Sequence, residues 1–84
     1  MILSWSDDAW DDYLYWQKND KRNLKRVNEI IKDIKRSPFD GLGKPEALKH
    51  NWSGYWSRRI NAEHRIVYKI EDDSILIAQC RFHY

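Results

Sequence analysis

The sequence predicts an α+β fold in which two N-terminal helices pack on one face of an antiparallel sheet. Apolar residues recur at the helical spacing as far as about residue 36, and they alternate with a period of two from Tyr55 onward. A loop that contains Gly41, Gly43 and Pro45 separates the two patterns. Because the 84 residues contain no repeat and no low-complexity linker, we expect one domain over residues 1–84.

The N-terminal half shows the start and stop signals of two helices after a short strand. Ile2–Trp5 is an apolar run, and Ser6 can cap a helix whose first turn holds two aspartates at the positive end of the helix dipole. Asp20 can cap a second helix, which ends before Pro38 because the residue before proline avoids helical geometry. The apolar stripe of this second helix consists of Leu24, Val27, Ile30, Ile31 and Ile34.

Residues 55–60, 65–70 and 75–84 have the alternation of strands, and the loop length of the last hairpin decides which side chains share a face. A loop of two residues would place Arg65 and Val67 beside Cys80 and Ala78. A loop of three residues collects the apolar side chains on one side, so we expect that register. It places Ile66, Tyr68 and Ile70 across from Cys80, Ala78 and Leu76.

The opposite, outer face of this sheet is predicted to be basic. The preceding hairpin pairs Ile60 with His64 on the core side and Arg59 with Arg65 on the outer side. Two arginines directly across from each other repel unless an anion lies between them. We therefore expect a phosphate site on the outer face, formed by Arg59, Arg65, Arg81 and His83, with Lys69 nearby.

The composition argues against a disulfide-linked domain, a zinc-binding domain and a membrane-spanning protein. A single cysteine, Cys80, allows no internal disulfide, and no Cys/His spacing is that of a zinc site, so we expect Cys80 to be a small buried hydrophobe. No stretch approaches the roughly 20 apolar residues of a membrane span, and residues 1–6 do not have the pattern of a leader. We expect a protein of the reducing cytoplasm.

The charge distribution favours an anionic partner more than the net charge of +2 does. Acidic residues gather at positions 7–12 and 71–73, whereas lysines and arginines dominate residues 21–36 and 44–65. Such segregation can offer a positive surface to phosphates. The alternative is that these charges only solvate the surface.

Cleaving RNA without a metal requires a base for the 2′-hydroxyl proton, cations for the phosphorane charge and an acid for the leaving 5′-oxygen. A carboxylate, the bidentate arginine fork and a histidine suit these three tasks. Glu46, Arg59, Arg65 and His83 are candidates for them. On composition alone these residues are weak evidence for a nuclease site, because a Glu, an Arg and a His occur in almost every domain.

Four sequence blocks resemble the YoeB-like toxins of the RelE-like mRNA interferase superfamily. They are residues 44–50 (KPEALKH), 54–60 (GYWSRRI), 63–68 (EHRIVY) and 80–84 (CRFHY), and they stand in the family's order and spacing. Trp5-Ser6 and residues 10–13 (WDDY) resemble the family's first strand and helix, so the resemblance covers essentially the whole chain.

The resemblance implies a RelE-like twisted antiparallel sheet with two N-terminal helices on one face. It also implies a toxin of a type II toxin–antitoxin system that cuts mRNA in the ribosomal A site and inhibits translation, without a metal or other cofactor. The products would be a 2′,3′-cyclic phosphate or 3′-phosphate and a 5′-hydroxyl. The implied roles are general base for Glu46, phosphate stabilisation for Arg65, general acid for His83, nucleotide orientation for Tyr84, and RNA-backbone binding for Lys49 and Arg59.

The implied partners are the ribosome with its mRNA, a YefM/Phd-type antitoxin with an acidic, flexible C-terminal segment, and a second copy in a homodimer. Two other readings stay open: a protein that occupies the A site or binds structured RNA without cutting it, and one that acts chiefly as an assembly partner. We expect His50 and His64 to be structural and Trp52 to be exposed. The other tryptophans at positions 5, 10, 16 and 56 are expected in the core or an interface.

Overall fold

A computed structural model describes residues 1–82 of the chain, so His83 and Tyr84 lie outside the described residues. The predicted α+β class is confirmed. The elements are β1 (Ile2–Trp5), α1 (Asp7–Asn19), α2 (Lys21–Arg36), β2 (Glu46–Ala47), a 3₁₀ turn (His50–Trp52), β3 (Trp56–Arg59), β4 (Arg65–Glu71) and β5 (Ser74–Gln79). Neither of the two helices found in residues 1–82 is long and apolar enough to cross a membrane.

The sheet has the strand order β1-β5-β4-β3-β2, and it is mixed. Strands β2 to β5 form an antiparallel meander, but β1 pairs in parallel with β5, so the prediction of a wholly antiparallel sheet is wrong at this edge. The two helices connect β1 to β2 at opposite edges, and the meander then returns the chain to β1. A parallel pair needs such a long crossover, which short-range sequence signals do not show.

Both predicted helix caps are confirmed. The Ser6 side chain accepts a hydrogen bond from the Ala9 amide at 3.1 Å, and the Asp20 side chain accepts one from the Asn23 amide at 3.0 Å. The apolar stripe of α2 packs on one face of the sheet, and Leu24 is partly buried at its margin. The centre of this core consists of Val27, Ile30 and Ile34 from α2 and Ile66, Tyr68, Ile75 and Ile77 from the sheet.

The register of the last hairpin differs from the prediction near its turn. Glu71 pairs with Ser74, so the loop has two residues, and Tyr68 lies across from Ile77 rather than Ala78. A β-bulge then shifts the register by one, and beyond it Val67 pairs with Gln79, as the three-residue register predicted. The extra residue in β5 places Ile75, Ile77 and Cys80 together in the core, which neither uninterrupted register does.

The last strand is shorter than predicted, because β5 ends at Gln79. The Cys80 amide donates to an Asp12 carboxylate oxygen at 3.1 Å, and the Cys80 carbonyl accepts from the Trp16 indole at 2.7 Å. Both bonds turn the backbone toward α1. Cys80 is fully buried, as predicted, and burial raises the pKa of its thiol well above the usual range.

Candidate active site

Three of the predicted site residues lie on one face of the sheet. Glu46 pairs with Ser57, and Ser57 pairs with Val67, so these three residues form a row across β2, β3 and β4. Their side chains lie on the face that points away from the helices, which is the outer face. Arg59 and Arg65 are each two residues along their strands from this row, and side chains two apart point the same way. The Arg59–Arg65 pair across β3 and β4 is confirmed.

The two arginines present positive charge side by side. Nη1 of Arg65 donates to the carbonyl oxygens of Asn61 at 3.1 Å and His64 at 3.2 Å, which orients its guanidinium. Within residues 1–82 neither Arg59 nor Arg65 forms an ion pair with a carboxylate. Directly opposed like charges are unfavourable, and an anion between them relieves the repulsion. The outer face can therefore bind a phosphate here.

A buried arginine holds the loop that leads into Glu46. Arg58 points to the core side, is fully buried, and donates from Nη1 to Asp33 at 2.7 Å. Its Nε donates to the Tyr68 hydroxyl at 3.0 Å, and that hydroxyl donates to the Pro38 carbonyl at 2.7 Å. The remaining guanidinium bonds reach loop carbonyls: those of Ser37 at 2.5 Å, Asp40 at 2.9 Å and Leu42 at 3.2 Å.

Hydrogen bonds to Asp33 lower the pKa of its carboxyl well below the usual range. In order of size they come from the Arg36 guanidinium, the Leu42 amide and Arg58. Gly41 adjoins this network with a φ of +117°, and a Cβ there would collide with the Asp33 carboxylate. The loop is thus packed tightly between α2 and β3, which fixes the start of β2.

Two hydrogen bonds hold the C-terminal segment, residues 80–82, beside Arg65. The Phe82 amide donates to Nδ1 of His64 at 2.8 Å, and the Phe82 carbonyl accepts from the Arg65 amide at 3.0 Å. His64 is buried, as predicted, with its ring edge-on to Trp16 at 4.8 Å between centroids. Phe82 is the last described residue, and these two hydrogen bonds fix its backbone beside β4.

Arg81 is not part of the outer-face cluster, and the prediction that placed it there is wrong. Its guanidinium carbon lies 3.3 Å from the ring centroid of Tyr15 in α1 and 4.3 Å from that of Phe82. Cation–π contacts of this kind favour a position against the aromatic rings. The predicted residues His83 and Tyr84 lie outside the described part of the chain.

Lys49 is exposed and shares an open cavity of about 510 Å³ with Glu46. Residues 46–52 line this cavity. Among residues 1–82 the Glu46 carboxylate has no hydrogen bond or ion pair, so its oxygens are open to a ligand. The described part of the chain contains no group of three or more His, Cys, Asp or Glu residues that could hold a metal ion.

Residues 5–84 match the family described as YoeB-like toxins of bacterial type II toxin–antitoxin systems. The chain belongs to this family. It is 67% identical to the toxin YoeB of an Escherichia coli O6:H1 strain over 84 residues, and the match covers 100% of both chains.

Solved structures of similar proteins have the fold of this YoeB-like toxin. A YoeB/ParE toxin from Agrobacterium tumefaciens is 51% identical, with a TM-score of 0.98 and coverage of 100% of both chains. YoeB of Staphylococcus aureus is 49% identical over 100% of this chain and 98% of that one. It was solved as a dimer, with a TM-score of 0.93, and in a heterotetrameric YoeB–YefM complex, with a TM-score of 0.92.

Sequence reasoning missed the buried pair that supports the site of this YoeB-like toxin. Two signals could have revealed it. Arg58 alternates with Trp56 and Ile60, which places a charged residue on the core side, and Asp33 falls beside Ile34 on the buried side of α2. A buried charge needs a partner, so the two patterns together indicate an ion pair.

Proposed function

We propose that this toxin is an endoribonuclease that cleaves mRNA in the ribosomal A site by acid–base chemistry of its own side chains. The observation that carries the proposal is the common face of Glu46, Arg59 and Arg65, with the two arginines directly opposite each other. A phosphodiester between the arginines would have a carboxylate on the same face. Three residues of the catalytic and RNA-binding set implied by the sequence blocks thus share one surface.

In the proposed reaction Glu46 takes the proton of the 2′-hydroxyl, and the 2′-oxygen forms a bond to phosphorus. Arg65 stabilises the charge on the phosphorane by bidentate hydrogen bonds. The bond from phosphorus to the 5′-oxygen breaks, and His83 gives its proton to that oxygen. The products are a 2′,3′-cyclic phosphate, which water can open to a 3′-phosphate, and a 5′-hydroxyl.

The remaining roles follow the same proposal. Tyr84 orients the reacting nucleotide by its ring or phenol, and Lys49 and Arg59 bind the RNA backbone. The anchor at Phe82 supports a role for His83 close to Arg65, because the carbonyl to which His83 is joined accepts from the Arg65 amide at 3.0 Å.

Incubation of the purified toxin with programmed ribosomes tests the proposal. We expect new message 5′ ends within the A-site codon, with 5′-hydroxyl termini that polynucleotide kinase labels without prior dephosphorylation. A protein that only blocks the A site arrests translation and leaves no new ends. That outcome contradicts the proposed chemistry.

We also propose that a YefM/Phd-type antitoxin inhibits this toxin in the cytoplasm by laying an acidic segment over Arg59 and Arg65. The Staphylococcus aureus relative, solved in complex with YefM, supports the choice of partner. The dimer of the same relative supports a homodimer. An antitoxin that binds this chain without reducing growth inhibition contradicts the scheme, and light scattering of the free toxin tests the dimer.

A further inference from the structure

Trp52 lines two cavities of the toxin. It lines the cavity of about 510 Å³ that contains Glu46 and Lys49. It also lines a second cavity of about 430 Å³, whose other lining residues are three aspartates of α1 and four residues near the C-terminus: Asp8, Asp11, Asp12, Ala78, Gln79, Arg81 and Phe82. The indole therefore adjoins the cavity of the candidate base on one side, and on the other a cavity formed by the start of α1 and residues 78–82.

The turn that carries Trp52 is held by consecutive backbone hydrogen bonds. The Trp52 amide donates to the Lys49 carbonyl at 3.1 Å, and the Tyr55 amide donates to the Trp52 carbonyl at 2.9 Å. The Tyr55 ring meets the indole edge-on, with 5.2 Å between centroids and 87° between planes. Nζ of Lys69 lies 5.4 Å from the Tyr55 centroid. The orientation of the indole is thus set before any ligand binds.

The cavity of residues 46–52 suits a nucleotide, whereas the three aspartates of the second cavity repel phosphate. Lys49, in the same cavity, can bind a phosphate, and the Arg59–Arg65 pair lies on the same face of the sheet. An aromatic ring beside cations is the usual arrangement for single-stranded RNA, in which the cations bind the backbone and the ring stacks on a base. Trp52 is partly exposed, so one part of the indole is open to such contact.

We propose that Trp52 stacks on a nucleobase next to the scissile phosphate and forms a base subsite of the toxin. The inference rests on the proposed function and specifies how the RNA is held. Because every base has a π-face, the subsite binds without strong sequence preference. Stacking on Trp52 from the cavity of residues 46–52 positions the nucleotide beside Glu46 and Lys49.

A packing role for Trp52 makes a different prediction. Val67 is fully buried although it points to the outer face, and its partner Gln79 lines a cavity with Trp52, so the indole could serve only to cover the sheet. Trp52→Leu keeps an apolar cover and removes the stacking ring, whereas Trp52→Phe keeps a ring. Trp10→Ala is the matched control, because Trp10 is 46% exposed on α1 and lines neither cavity.

The test is an NMR titration of the whole toxin with an RNA trinucleotide whose 2′-oxygens are methylated, so that it cannot be cut. We expect the Trp52 indole N–H signal to shift on binding, and Trp52→Leu to weaken affinity by at least about fivefold, since stacking contributes about 1–3 kcal/mol per base. Trp52→Phe should stay within about threefold of wild type, and Trp10→Ala should bind like wild type. Thermal unfolding of each variant verifies the fold.

Equal affinity of Trp52→Leu and wild type overturns the subsite, and so does an unshifted Trp52 signal in a toxin that cuts ribosome-bound message. Loss of antitoxin affinity in Trp52→Leu with unchanged trinucleotide affinity would make this a protein-binding surface and also overturns it. The proposed function stands in these cases, because cleavage on programmed ribosomes is measured separately with the wild-type toxin. Failure of that cleavage overturns the proposed function itself.

Discussion

The Phe82 amide donates a 2.8 Å hydrogen bond to Nδ1 of His64, across 18 residues of sequence. The bond requires an unprotonated Nδ1, since a protonated one would itself be a donor. Trp16 packs edge-on against the same imidazole and fixes its plane. His64 is thus a positioning residue for the C-terminal segment.

Replacing His64 by a residue of similar size should remove the acceptor of the Phe82 amide without leaving a cavity in the core. The C-terminal segment should then be less firmly held. We expect His64→Phe to raise the exchange rate of the Phe82 amide and to lower message cleavage, each by about tenfold, because one hydrogen bond contributes about 0.5–1.5 kcal/mol. His64→Asn, whose side-chain oxygen can accept the same bond, should recover most of both losses. Unchanged Phe82 exchange in His64→Phe, measured by NMR, would count against the anchor.

Arg58 should contribute more to stability than any surface arginine of this chain. We expect Arg58→Met to lower the free energy of unfolding by about 3–5 kcal/mol, because it removes one of three donors to Asp33 and leaves the Ser37, Asp40 and Leu42 carbonyls without their donor. Arg36→Met is the control, since the Arg36 side chain is 76% exposed and its loss should change stability by less than about 1 kcal/mol. Urea unfolding measures both, and similar losses in the two variants would contradict the assigned role.

The lowered pKa of Asp33 predicts an acid-sensitive contribution to stability. Below its ordinary value of 3.8 the unfolded chain takes up a proton at Asp33 that the folded chain does not. Stability from this group is therefore complete only above about pH 5 and declines as the pH falls further. Unfolding at pH 2 to 5 should show a pH slope smaller by up to one proton in Asp33→Asn than in wild type, and equal slopes would contradict the shift.

Cys80 should be unreactive in the folded toxin. Its thiol is fully buried, Sγ lies 3.5 Å from the Ala9 carbonyl oxygen, and burial raises its pKa, so little thiolate forms near neutral pH. We expect a thiol reagent to modify Cys80 at least about a hundredfold more slowly than in urea-unfolded chain. Comparable rates in the two states would show that the thiol is accessible.

The local features of this fold could be predicted from sequence because short-range signals determine them. Ser6 and Asp20 indicated the starts of the two helices. The alternation of polar and apolar residues in β3 and β4 predicted that Arg59 and Arg65 lie across from each other. The bulge between Val67 and Tyr68 could not be predicted, because it reconciles a tight two-residue turn with burial of Cys80 several residues away. The alternation of apolar residues predicts one uninterrupted register for a pair of strands, so it does not indicate where a bulge changes that register.

Long-range contacts account for the other differences. The parallel pairing of β1 depends on where the meander ends, and the position of Arg81 depends on Tyr15, 66 residues earlier in the chain. For the site, strand alternation sufficed to place Arg59 and Arg65 on the outer face, whereas the face of Glu46 follows from the pairing of β2 with β3. Trp52 stands in an irregular turn, where no periodicity indicates which cavities it lines.

The rate at which Glu46→Gln cuts message on programmed ribosomes tests the central claim most directly. The substitution keeps size and hydrogen bonding but removes the base, so the single-turnover rate should fall by at least about a hundredfold with thermal stability unchanged. Glu29→Gln, on the exposed surface of α2, should cut like wild type. A Glu46→Gln toxin that cuts within about threefold of the wild-type rate would contradict the account.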